Sequence, residues 1–217
     1  MAESLRRLTL TEQAETAVRD MIASYRFTPG KRINVERLAK DLGVSRTPIW
    51  LALKNLENEG LVTHVPNQGI HMARLTLQMA HDLYVVRGQL EGLAGRFSAD
   101  NIDKRTLSRL ESLLKKQRPI VENRDVIKYS ESDLEFHGLL YSSCGNWLLK
   151  ELLENIKARS RPFVCDLASI LSGLYQDHVE LVEALKTRDA AGAERIMRRH
   201  NARVRRQIRK VQKEEAN

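Results

Sequence analysis

Apolar residues recur at helical spacing near the start of the chain, where Ala14, Ala17, Val18, Met21, Ile22 and Tyr25 form one stripe. The stripe stops at Phe27, Thr28, Pro29 and Gly30, a set of turn residues. Val35, Leu38 and Leu42 make a second stripe that ends at Gly43, a residue free to take positive φ. A third helix is predicted next. Ser45 stands where a helix cap belongs, Pro48 falls in the first turn where its missing N–H does no harm, and Ile49, Ala52, Leu53 and Leu56 share one face. Arg46, Thr47, Trp50 and Lys54 then point the other way. Beyond them the pattern shortens to two strand-like runs, Leu61 to Val65 and Ile70 to Ala73, joined by Pro66, Asn67, Gln68 and Gly69.

From about Leu75 to Gln78 onward the pattern is helical to the end. Leu83, Val86, Leu90, Leu93, Ala94 and Phe97 define one helix; Leu107, Leu110, Leu114 and Val121 define another. Further helices are predicted over 126–143, from Trp147 to about Leu174 with a kink at Pro162, from Asp177 to Lys186, and from Asp189 onward. The chain therefore reads as mainly α. Residues 1–75 form a winged helix-turn-helix with a small β-hairpin wing, and residues 76–217 form an all-α antiparallel helical bundle.

The N-terminal layout presents a polar helix face of the kind that enters a DNA major groove, with the wing along the backbone or minor groove. Candidate DNA-binding residues are Arg37, Ser45, Arg46, Thr47, Trp50 and Lys54 on the helices, and Asn67, Gln68 and Gly69 on the wing. Double-stranded DNA is the expected partner. A homodimer would match a pseudo-palindromic operator, since paired recognition helices mirror a two-fold site.

Charge changes this picture little. The net charge is +8, but nine basic and no acidic residues fall between Arg195 and Lys213, leaving 36 − 9 = 27 basic against 28 acidic residues elsewhere. The excess belongs to the last helix, so the DNA expectation rests on the N-terminal motif alone. No apolar run approaches a membrane span or a signal-peptide core, and Cys144 and Cys165 lack metal-type spacing. A reducing cytoplasm and near-core thiols are expected.

The histidines carry the chemistry of the second half. Asp133 and His137 lie four residues apart on one helix face, about 6 Å along its axis, and can share an ion. His178 is placed at the opening of a later helix. His200 follows 22 residues on, across the short connection Thr187, Arg188 and Asp189, on an antiparallel neighbour. Together the four supply an N3O set that suits a divalent metal, zinc first, with nickel or another transition metal as alternatives. Taken singly, each histidine reads as a satisfied polar residue more readily than as a ligand, and Asp133 fits an ordinary helix-surface carboxylate. His64 and His71 are expected to face each other across the hairpin if its turn runs from Pro66 to Gly69. His81 and Asp82 form an HD dipeptide like that of helical metallohydrolases, yet no helical partner histidine, nucleophile or base accompanies it. An enzyme is set aside.

The runs VSRTPI, EGLV and PNQG closely resemble the GntR family of bacterial transcription regulators, over about the first third of the chain. DLEFHGLL followed by CGN, DHVELVEAL and RDAAGAERIMRRH resemble the FCD ligand-binding domain of its FadR subgroup, over about residues 79–210. The resemblance implies a ligand-responsive transcription regulator and leaves open whether target genes are repressed or activated. It implies metal ligation by Asp133, His137, His178 and His200, and places Arg87 and Asn146 toward an effector pocket. A guanidinium beside a metal with open positions implies a small organic acid as effector. The alternatives stay open: Arg87 pairs with Glu91 one turn on, Asn146 serves as a turn residue, and the metal is purely structural. One departure is notable. The family's SRTPxR run carries Trp50 here in place of the second arginine, and Gln68 stands where a basic wing residue is common, which points to an altered or relaxed operator.

Overall fold

The computed structural model describes residues 8–23, 26–160 and 167–215; Tyr25, Pro162 and Cys165 lie outside them. The chain divides into two compact units that part between Leu75 and Thr76.

The first unit holds α1 (Leu10–Ala23), α2 (Val35–Asp41), α3 (Arg46–Asn58) and the antiparallel strands β1 (Val62–Val65) and β2 (Gly69–Met72). α1 packs on α3, and the apolar faces bury Ala14, Val18 and Ile22 with Ile49, Ala52, Leu53 and Leu56. Asn34 starts α2 by accepting the Arg37 N–H at 2.9 Å. α2 ends on Gly43 at φ +66°, with Val44 N–H on Ala39 O (3.0 Å) and Gly43 N–H on Lys40 O (3.2 Å). This is the reciprocal closure of a Schellman motif, in which only a residue tolerant of positive φ turns the chain toward α3. Ser45 occupies the cap position of α3 in extended conformation, but its side chain makes no capping hydrogen bond.

The hairpin register pairs Thr63 with His71, His64 with Ile70 and Val65 with Gly69. His64 and His71 therefore lie on opposite faces, contrary to the sequence expectation, because a one-residue change of register reverses a side chain's face. The cause is the turn. Asn67 takes φ +63° and Gln68 N–H bonds Val65 O at 3.0 Å, which leaves Gly69 to pair directly with Val65. A third segment joins the sheet through Ile33 N–H to Ile70 O (2.8 Å) and Met72 N–H to Lys31 O (2.9 Å).

The second unit holds α4 (Leu77–Asn101), α5 (Lys104–Glu122), α6 (Val126–Ser143), α7 (Trp147–Ser160), α8 (Leu171–Lys186) and α9 (Ala190–Glu215), with a short 3-10 turn at Ala168–Ile170. Side-chain oxygens of Thr76, Asp103, Asp125, Asn146 and Asp189 each accept a backbone N–H three residues on, fixing where these helices begin. Phe136, Leu140, Leu153, Leu181, Leu185 and Met197 form the core. α4 packs along α9 closely enough that a Cβ on Gly95 would meet Ala193 O at 3.0 Å and Met197 Cγ at 3.1 Å. The predicted helix start at Asp177 is corrected: α8 begins at Leu171, so His178 sits two turns inside it. Asp177 is a buried acid held by Arg199 (2.8 Å) and Arg203 (3.0 Å).

Candidate functional site

In the first unit, α3 keeps its apolar face inward, and Ser45, Arg46, Thr47, Trp50 and Lys54 are exposed, as are Arg37, Asn67 and Gln68. Gly69 is half-buried beneath the Arg32 guanidinium, whose Nε would lie 3.3 Å from a Cβ there. Arg46 pairs with Glu36 at 3.0 Å, with both side chains well exposed, so the contact is weak and readily exchanged for another acceptor. Trp50 is 43% exposed and meets the His64 ring edge-on at 6.2 Å, linking the third helix to the wing.

The second unit gathers Asp133 and His137 of α6, His178 of α8 and His200 of α9. One donor atom from each lies within 4.8 Å of the others, and all three histidines are buried. Ligands about 2.1 Å from one tetrahedral ion are about 3.4 Å apart, so the set is a little wider than a closed coordination shell and would draw together by about 1 Å around an ion. His137 Nε2, His178 Nε2 and His200 Nδ1 are buried without a hydrogen-bond partner. Two of them, His137 Nε2 and His178 Nε2, stand 3.4 and 3.5 Å from the same Asp133 Oδ1. Buried polar atoms are rarely left unpaired, and two converging on one carboxylate beside a third histidine fit a cation-binding centre.

The opposite ring nitrogens are held from behind. His137 Nδ1 lies 2.9 Å from Glu91 Oε1 and 3.4 Å from the Tyr141 hydroxyl, which itself donates to Glu91. His178 Nδ1 lies 3.4 Å from Gln117 Oε1 and 3.5 Å from the Tyr129 hydroxyl. An acceptor at Nδ1 places the proton there and leaves Nε2 with its lone pair toward the centre. The rings stack: Phe136 lies on His178 at 4.0 Å, and His178 lies on His200 at 4.9 Å.

Burial, reinforced by the His137 ring, pushes His200 down to about 4; burial and the neighbouring His200 hold His178 well below the ordinary histidine range. Both imidazoles are thus neutral at pH 7, the form that ligates metal. Burial alone would raise Asp133, but the Lys157 ammonium and the His137 ring outweigh it and hold the carboxyl well below its usual range. Lys157 reaches from α7 to donate to Asp133 Oδ2, and burial together with Arg87 lowers its own pKa.

A cavity of about 40 Å³ adjoins these ligands, lined by Tyr84, Arg87, Tyr129, Ser130, Asp133 and His200 among others. Arg87 lies on its wall, beneath the Tyr84 ring at 5.1 Å, while its Nε and a terminal nitrogen bond Glu91 Oε1 at 2.9 and 2.8 Å. The Arg87–Glu91 pair anticipated as an alternative is therefore formed, at the edge of the cavity. Asn146 lies elsewhere. Exposed, it caps α7 by accepting the Leu149 N–H at 3.0 Å and is not among the residues lining this cavity. His81 sits 3.3 Å from Asp82 and accepts from Arg209 Nε at 3.1 Å; among the described residues neither joins a metal-type cluster.

A family model described as "Bacterial regulatory proteins, gntR family" matches residues 10–72, and one described as "FCD domain" matches residues 82–203, more than half of the chain. The chain belongs to the FCD-domain branch of the GntR family. The HTH-type transcriptional regulator YdhC of Bacillus subtilis is 34% identical over 143 residues, covering 64% of this chain and 62% of that protein. The HTH-type transcriptional repressor RspR of Escherichia coli is 26% identical over 208 residues, covering 94% of this chain and 91% of that one. The solved structure of E. coli McbR/YncC has the same fold, with a TM-score of 0.82 at 23% identity over 97% of this chain and 100% of the other. The regulator is a DNA-binding transcription factor with a helical FCD domain, and both matched families are regulators, not enzymes.

Sequence reasoning found the four converging side chains of this regulator but not their support. Tyr141, one turn after His137, carried a signal in its i+4 spacing. Gln117 and Lys157 carried none, since each reaches the site from a helix far away in sequence.

Proposed function

We propose that this regulator holds a divalent metal, zinc first, on Asp133, His137, His178 and His200, and that a small carboxylate in the adjoining cavity modulates operator binding. The observation that carries the reading is that one donor atom from each of three buried histidines and Asp133 gathers within 4.8 Å, with the unpartnered His137 Nε2 and His178 Nε2 facing the Asp133 carboxylate. The bound metal would supply positive charge and open coordination positions for an anionic ligand. The chain's own part is to fix the imidazoles through Glu91 and Gln117 and to border the cavity with the Arg87 guanidinium.

On the DNA side, Arg46 and Thr47 read base edges, Trp50 packs between the third helix and the wing, and Arg37, Ser45, Lys54, Asn67, Gln68 and Gly69 line the contact surface. The regulator acts in the cytoplasm as a homodimer on a pseudo-palindromic site, with residues 1–75 as DNA-binding domain and 76–217 as effector and dimerisation domain. The carboxylate shifts operator affinity only by as much as it prefers one state of the protein.

The direct test substitutes Asp133→Ala and His200→Ala and measures metal content by elemental analysis beside operator binding. Metal content should fall at least about tenfold in both, with operator binding retained but unresponsive to carboxylates. Unchanged metal content in both variants would remove the site.

A further inference from the structure

The polar network around the metal ligands is electrically balanced by the chain's own side chains. Two cations and two carboxylates meet there: Arg87 on Glu91 at 2.8 Å, and Lys157 on Asp133 Oδ2. Arg87, Glu91 and Lys157 are buried, and the Asp133 side chain is 15% exposed. A further acid among the described residues, Asp177, 3.8 Å from His200 Nδ1, is already matched by Arg199 and Arg203. A carboxylate that ligates a cation ordinarily offsets part of its charge, but here Lys157 has taken that charge. A divalent ion entering this site would add two positive charges with no anion left among the described residues to meet them. Unpaired charge in a buried site is strongly unfavourable, so some other group must supply the balance.

We infer that the site binds its metal tightly only together with an anionic ligand in the adjoining cavity, and that Lys157 is the positioning residue that sets this coupling. The inference rests on the metal and carboxylate reading above and adds the direction and origin of the coupling. Asp133 divides its two oxygens: Oδ1 faces His137 and His178, while Oδ2 accepts from Lys157. Lys157 thus aims Asp133 at the centre and at the same time cancels its charge. A carboxylate beside the metal restores neutrality, one charge from a monoacid and two from a diacid. Reciprocity follows: metal raises the affinity for the carboxylate by the same factor as carboxylate raises the affinity for metal.

The test measures zinc affinity of the full-length, metal-stripped protein by competition against a chromophoric chelator in free-zinc buffers. Ionic strength is held constant, with no organic acid, with acetate, or with succinate. Wild type should bind zinc about tenfold or more tightly in succinate than in its absence, with a smaller gain in acetate. Lys157→Met should bind zinc more tightly than wild type when no acid is present, and its gain from succinate should shrink to within about twofold. Lys157→Arg, which keeps the charge, should keep the coupling and guards against a Lys157→Met variant that does not fold. Wild-type zinc affinity that ignores both acids would overturn the coupling while leaving the metal site standing. A Lys157→Met variant with wild-type coupling would overturn the role of Lys157. Failure of folded wild type to bind zinc in any buffer would overturn the metal reading itself.

Discussion

At the residue scale, Arg46 carries the proposed reading of DNA, and Glu91 orders the histidines of the helical unit. Arg46 stands exposed at the start of α3 in a weak pair with Glu36, and Trp50 occupies the position where family members usually carry a second arginine. A bidentate arginine–guanine contact is worth about 1 to 3 kcal/mol of discrimination, and in the proposed reading Arg46 alone supplies it. Arg46→Ala should lower the preference for operator over random duplex by roughly tenfold or more, measured by fluorescence anisotropy at one fixed salt concentration, while affinity for random duplex changes little. A variant that still discriminates as wild type does would assign the reading to other residues. Glu91 is the corresponding residue inside the bundle. It is fully buried, meets Arg87, His137, Tyr141 and Asn201, and is held well below the usual carboxylate range because Arg87 and His137 outweigh the effect of burial.

At the element scale, the close contact of α4 with α9 positions the site, since α4 brings Arg87 and Glu91 and α9 brings His200. The approach depends on small residues, and Gly95 faces Ala193 O, a backbone atom that cannot rotate away. Gly95→Val should destabilise the second unit by about 1 to 3 kcal/mol through overpacking, measured by chemical denaturation followed by circular dichroism. An unchanged midpoint would show that the helices separate without loss. Much of this architecture is legible in the sequence. The stripes Ile49, Ala52, Leu53 and Leu56, the turn at Gly43 and the capping residue Asp189 all act locally, where periodicity and backbone chemistry speak directly. What was misread depended on partners distant in sequence. The helix start expected at Asp177 lies instead at Leu171, and Asp177 sits inside α8, buried against Arg199 and Arg203. His64 and His71 depended on Asn67 accepting positive φ, a choice open to asparagine but not written in the strand pattern. Lys157 met Asp133 only through the packing of α7 on α6.

At the scale of the whole molecule, part of the basic excess of α9 serves structure, since Arg199 and Arg203 compensate the buried Asp177 and Arg198 pairs with Glu194 at 2.7 Å. The buried site also makes stability depend on pH. His200 has a folded pKa of about 4 against an ordinary 6.5, so between these values the unfolded chain binds more protons than the folded one. Stability therefore falls as pH drops from about 6.5 toward 4. His178, also lowered, acts in the same direction. Asp133 and Glu91, lowered as well, add stability that is present above the ordinary carboxylate range and lost as pH falls toward their folded values. The thermal midpoint of metal-free protein should drop by several degrees between pH 7.5 and 5, and a flat profile would contradict these assignments. The central claim, that three imidazoles and one carboxylate hold a divalent metal, is tested most directly by X-ray absorption at the zinc edge of the zinc-loaded protein. The account predicts a first shell of three imidazole nitrogens with oxygen, at about 2.0 to 2.2 Å. A shell containing sulfur, or one unchanged by His178→Ala, would contradict it.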